Sequence, residues 1–227
     1  MIEDLFKDAQ KVLKDKSQLK SYELQEKILQ HLVTEYPDHT VPEAVDLKAK
    51  LLNLFYSTGI QAMNVMVNKI LGVANIDSRL ENGDLNLVAD IAEIQLSDGK
   101  KRYNYSFATK YCALHQQDKY PIYDSIVANV LLYLLKNNKI PPYTLRGKKQ
   151  AENETCKNVG EYEKALHDYP YYVNVYDSFC KAYNLSSLSY RDVDFYIWGA
   201  FKLGGKKYLI EKKAPINPRL YRAYRQL

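Results

Sequence analysis

The sequence predicts an all-α protein. Apolar residues recur at three- and four-residue spacing along most of the 227-residue chain, which is the period of a half-buried helix. No stretch alternates apolar and polar residues over the length of a strand. Pro, Gly, Asn and Asp cut the periodic stretches into pieces of helix length, so that about ten helices fit the chain.

Taken in order, residues 2–16 place Ile2, Leu5, Phe6, Ala9, Val12 and Leu13 on one helical face. A second helix is expected from Tyr22 to Tyr36, capped by Ser21 and stopped by Pro37. His31 and His39 flank that end; lacking Cys or acidic neighbours at ligand spacing, they read as surface or capping residues rather than a metal site. Pro42 opens the next helix, because its missing amide costs nothing in a first turn, and Gly59 reads as its break or C-cap. Ile60, Met63, Val67, Ile70 and Leu71 mark a buried helix after it. A short helix near residues 76–80 should stop at Asn82-Gly83, with Asp84 capping a further one over residues 85–94.

The most informative run is Arg102–Leu135, RYNYSFATKYCALHQQDKYPIYDSIVANVLLYLL. It reads as a helix, a polar turn, a Pro-led bend and a second, apolar helix. Asp124 stands where that second helix begins, placed to accept the amide of the third helical residue, a contact worth ~1 kcal/mol. Upstream, Ser97–Arg102 form a cationic loop whose Lys100, Lys101 and Arg102 precede a helix N-terminus. Side-chain charge, free amides and helix dipole there add up to a place for a phosphate. His115 ends the helix, where it can satisfy terminal carbonyls or reach the same region.

Beyond it, Asn137–Lys139 and Pro141-Pro142 break the chain, and residues 146–160 read as an exposed loop with Arg146, Lys148 and Lys149. Helices over residues 161–167 and 171–183 are expected on either side of Pro170. Ser189 caps a last helix that buries Val193, Ile197, Trp198 and Phe201 and ends at Gly204-Gly205, before a basic tail over 205–227.

Composition sets the bounds. Hydrophobic content of 46% and charged content of 26% fit a globular chain, and the net charge of +5 permits a polyanionic partner without demanding one. Twenty-one Tyr are present; each offers a ring for stacking and a hydroxyl, which suits base recognition, and each equally serves to fill a core. The three cysteines, Cys112, Cys156 and Cys180, have neither metal-ligand spacing nor an even count for a disulfide framework, so no metal and a reducing, cytoplasmic setting are expected. No run is long and apolar enough to span a membrane. The glycine fingerprints of nucleotide-cofactor folds are absent, so no cofactor is expected.

Ser106, Ala108 and Asp124, with Pro121-Ile122-Tyr123 leading into the Asp, resemble the core of the helix-hairpin-helix DNA glycosylase superfamily of base-excision repair. In that family a helix carrying Lys or Ser is followed about eighteen residues later by an essential Asp opening the next helix. The resemblance is to the region 45–135. It implies two intimately packed lobes with a cleft between them: residues 37–120 against 1–36 plus 121–204, within one unit spanning 1–204. Asp124 would then be the catalytic carboxylate, stabilising oxocarbenium-like charge or activating water, while Ser106 in place of a Lys nucleophile implies base removal without strand cleavage. Lys100, Lys101, Arg102, Tyr103, Tyr105, Lys110 and Tyr123 would meet duplex DNA, with Tyr105 or Tyr123 lining a pocket for an extruded base. The segment 54–60, LFYSTGI, stands where the family probes the opened duplex.

The chain departs from that pattern in three places. Lys101-Arg102-Tyr103-Asn104-Tyr105 replaces the glycine hairpin, Leu52 falls where adenine glycosylases have an acid, and the four-Cys iron–sulfur loop is missing. The alternative reading is a catalytically inactive helical scaffold that serves as a nucleic-acid- or protein-binding module.

Overall fold

The computed structural model describes residues 20–137, 139–140 and 159–200. The expected helix over 2–16, most of the loop at 146–160, and the basic tail lie outside them, as do the side chain of Trp198 and all of Phe201. Among the described residues there are ten helices and one two-stranded hairpin. They fall into two compact units, divided after Tyr123.

The first unit holds α1 (Lys20–Glu35), α2 (Pro42–Phe55), α3 (Met63–Leu71), α4 (Ile76–Asn82), α5 (Leu87–Ala92), β1 (Glu93–Gln95), β2 (Lys101–Tyr103) and α6 (Tyr105–His115). Its centre is α6, against which α1, α2 and α5 pack. That explains its sequence: an 11-residue helix buried continuously from Phe107 to Leu114, Thr109 and Lys110 included. Phe107, Tyr111 and Leu114 each contribute roughly 1.5–3 kcal/mol by leaving water. Residues 20–36, expected with the later helices, belong to this unit: Leu29 of α1 is fully buried and Tyr56 donates to Glu26.

Helix ends follow local chemistry, with instructive shifts. Pro42 occupies the first turn of α2, as its fixed φ favours. Gly83 closes α4 at φ +67, a left-handed cap. Gly59 does not cap α2, which ends at Phe55; instead Asn53 folds the following loop, accepting Thr58 Oγ1 and the Ile60 amide and donating to the Ile60 carbonyl. Ser21 lies inside α1 rather than capping it.

Asp84 does not cap the expected 85–94 helix either. Its carboxylate takes the Asn86 amide and the Arg79 guanidinium, and α5 starts only at Leu87. The end of that stretch is not helical at all: Glu93, Ile94 and Gln95 pair antiparallel with Tyr103, Arg102 and Lys101. The Gly99 amide bonds the Leu96 carbonyl, and Gly99 takes φ +79, which only Gly adopts without strain.

The second unit is built on α7 (Ser125–Lys136), against which α8 (Val159–Ala165), α9 (Tyr169–Ala182) and α10 (Tyr190–Ala200) pack. Val127, Leu131, Leu132, Leu134 and Leu135 give α7 its buried face. Pro170 does not separate two helices; it sits in the first turn of α9, whose N-cap Asp168 accepts the Tyr171 amide at 3.0 Å. Ser189 and Asp192 form a reciprocal cap at the start of α10, the Ser hydroxyl accepting the Asp192 amide and donating to its carboxylate. Tyr172 and Tyr176 are fully buried in this unit, and Tyr111 and Tyr120 in the first, so many of the tyrosines are core. Burial pushes the phenols of Tyr111, Tyr172 and Tyr176 well above their ordinary range. No helix among the described residues is long and apolar enough to cross a membrane.

Candidate functional site

The residues singled out from the sequence divide between the two units, and each group is built by its own elements. In the first unit the first turns of α6 organise a polar cluster around one carbonyl. Ser106 Oγ donates to the Tyr123 carbonyl at 3.1 Å, and Lys110 Nζ donates to Ser106 Oγ at 2.5 Å and to the same carbonyl at 3.4 Å. Thr109, fully buried, donates to the Ser106 carbonyl and accepts the Tyr123 amide. Ser106, Thr109 and Lys110 share a face because residues three and four apart on a helix are neighbours. They fix the backbone of Tyr123 from both its N–H and its C=O side.

Lys110 is therefore not a solvated surface charge. It is 6% exposed, and its ammonium lies over the Tyr56 ring at 5.8 Å from the centroid. A helical spacing that looked like a phosphate contact instead delivers a cation to a serine hydroxyl.

Above this cluster three rings form a series. Tyr103, at the end of β2 and 48% exposed, stacks on Tyr105 with centroids 5.8 Å apart and planes inclined by 11°. Tyr105 in turn meets Tyr123 at 4.7 Å. The hairpin carries Lys100, Lys101 and Arg102 on the exposed surface beside Tyr103. Two of these cations have carboxylates close by on the same hairpin: Lys100 with Asp98 at 2.7 Å and Lys101 with Glu93 at 2.5 Å. Such exposed pairs are weak and readily exchanged for another anion. Each still holds its carboxyl below the ordinary range, through the hydrogen bond from its Lys.

In the second unit Asp124 opens α7. Its Oδ1 accepts the Val127 amide at 2.8 Å, the N-cap contact expected of it, and the residue is half-buried.

Sequence reasoning missed a second polar cluster in the first unit. His39, in the segment 36–41 between α1 and α2, places Nδ1 2.6 Å from Asp77 Oδ1 of α4 and Nε2 2.9 Å from the Tyr111 hydroxyl of α6. With the Nδ1 proton given to the carboxylate, Nε2 is left to accept the phenol proton. His115 stacks on His39 at 4.9 Å, and its Nε2 is buried without a hydrogen-bond partner among the described residues. Lys48 of α2 is fully buried and donates to the Tyr36 carbonyl at 2.8 Å and the Asp38 carbonyl at 3.3 Å. Burial pushes its ammonium down to about 8, with Asp77 and Asp38 pulling the other way. The only trace in the sequence is that Lys48 falls on the apolar face of α2 beside Val45, Ala49 and Leu52. Among the described residues no group of three or more His, Cys, Asp and Glu side chains is placed to hold a metal ion.

A family model described as HI_0787_N, an N-terminal domain, matches residues 8–119. A protein of Haemophilus influenzae named only as an uncharacterized protein is 34% identical over 161 residues, covering 71% of this chain and 68% of the relative. The chain belongs to this family. The HI_0787_N match includes the hairpin, Ser106, Lys110 and the His39 cluster, and stops short of Tyr123 and Asp124. No solved structure matches the chain.

Proposed function

We propose that this HI_0787_N-family protein is a DNA glycosylase-like protein that engages nucleic acid through the first unit and releases a damaged or mismatched base with Asp124. The observation that carries the reading is the Tyr103–Tyr105–Tyr123 series, which starts at an exposed ring beside Lys100, Lys101 and Arg102. An exposed aromatic next to cations suits a stacked base with a neighbouring phosphate, and each such stack is worth about 1–3 kcal/mol. Asp124 supports the catalytic half: a half-buried carboxylate at a helix N-terminus suits positive charge building on a sugar. Ser106, whose proton is given to a carbonyl and whose oxygen accepts from Lys110, supports hydrolytic release rather than a covalent sugar intermediate.

The test is a panel of duplexes, each carrying one damaged or mismatched base, incubated with the full-length protein and assayed for abasic sites. Asp124→Asn is the companion variant, because Asn caps a helix as well as Asp and leaves stability nearly unchanged. Base release by the wild type and its loss in Asp124→Asn is the expected result. Binding without release on every duplex leaves the module reading, a helical scaffold that holds nucleic acid. The same hairpin geometry favours that reading equally, and Tyr103→Ala would then weaken binding by about tenfold or more while Tyr103→Phe keeps it.

A further inference from the structure

We propose that His39 and His115 form an acid-sensitive latch that holds the segment 36–41 against α4 and α6, so that acidification opens this segment and loosens the His115 end of α6. The geometry is a buried stack of two imidazoles on which the connection between α1 and α2 closes. From that connection His39 reaches α4 through Asp77 and α6 through Tyr111, while its own amide also points to Asp77. Lys48 of α2 ties down the carbonyls on either side of Pro37-Asp38. His115 closes the stack from α6, its Nε2 buried and without a hydrogen-bond partner among the described residues.

The charges around the rings decide the direction. Those acting on His39 are Asp77 of α4, Lys48 of α2 and Asp38 of its own segment; on His115 they are Lys48 and His39, with the Pro37 carbonyl facing the ring. Helices α1 and α5, which also pack on α6, contribute none of them. Burial dominates and disfavours the protonated form of both rings, moderately for His39, where Asp77 opposes it, and strongly for His115 beside the Lys48 ammonium. Both imidazoles thus bind protons less readily closed than open. The closed state is fully favoured above an ordinary imidazole's pKa of about 6.5 and loses ground as pH falls through that value.

One exposed imidazole with an ordinary pKa multiplies the opening constant about tenfold at pH about 5.5 relative to neutral pH, and two such rings multiply it about a hundredfold. Hydrogen exchange of the full-length protein, corrected for intrinsic rates, reads this directly at the amides of 36–41 and of the last turn of α6. The wild type is expected to show a rise of between ten- and a hundredfold between about pH 7.5 and 5.5. In His115→Phe, which keeps a ring in the stack but cannot take a proton, that rise should fall to about tenfold or less. No rise in the wild type, or an undiminished rise in His115→Phe, overturns the latch. Should His115→Phe fail to fold, imidazole titration of the wild type by NMR decides. Midpoints below 6.5 that coincide with shifts of the 36–41 amides support it, whereas ordinary midpoints with those amides unmoved sink it.

Discussion

Lys48 shows how much one side chain can carry in this fold. A fully buried ammonium held, among the described residues, by two carbonyls costs desolvation that its hydrogen bonds offset in part. Because burial lowers its folded value to about 8, against about 10.5 in the unfolded chain, the cost is complete below pH 8 and is relieved as pH rises towards 10. Lys48→Met should therefore compare best with wild type near neutral pH. Between about pH 7 and 9.5 the difference in unfolding free energy should move by about 1–2 kcal/mol in favour of wild type, measured by urea denaturation at each pH. Tyrosine ionisation affects both proteins alike and drops out of the comparison. A difference that stays flat with pH would mean the Lys48 amine titrates normally.

At the scale of elements, the hairpin between α5 and α6 is the part on which the nucleic-acid reading depends, and its turn rests on Gly99. An added Cβ there meets nothing within 4 Å, so the only obstacle to a side chain is the φ of +79. Gly99→Ala is expected to cost about 1 kcal/mol, seen as a lowered Tm, through backbone strain alone. This same hairpin was not legible in the sequence. Three-residue strands are too short to show an alternating pattern, and Ile94 fits the helical spacing of the preceding stretch as well as it fits a strand. Elements with a long apolar face or a local cap were legible: α2 from Pro42, α4 from Gly83, α7 from Asp124 and α10 from Ser189. Pro170 misled because a proline that ends one helix looks the same as one that starts the next. The Asp124 cap could be read because its partner is three residues away. The Asp77 and Tyr111 partners of His39 lie 38 and 72 residues away, and nothing local announces them.

For the whole molecule, the charge is modest, +5 over 227 residues, so any affinity for a duplex must come from placement rather than total. If Lys100, Lys101 and Arg102 each meet a phosphate, log Kd against log salt should have a slope of about 2–3. Lys100 and Lys101 must leave Asp98 and Glu93 to do so, so Arg102→Glu should weaken binding more than Lys100→Glu. Fluorescence anisotropy with a labelled duplex from about 50 to 200 mM salt measures both; a flat salt dependence would point to a protein partner.

The Ser106–Lys110 contact also limits what this scaffold can become. Under the glycosylase reading proposed above, the Ser106 position would be open to Ser or Lys. Here a Lys at 106 would bring a second ammonium to within one helical turn of Lys110, both aimed at the Tyr123 carbonyl in a half-buried place. Two cations competing for one acceptor repel, and one would have to lose its proton or swing away. A change to a lysine nucleophile is then not one mutational step but two, with position 110 surrendering its charge first. A 2.5 Å hydrogen bond makes the two positions one physical unit.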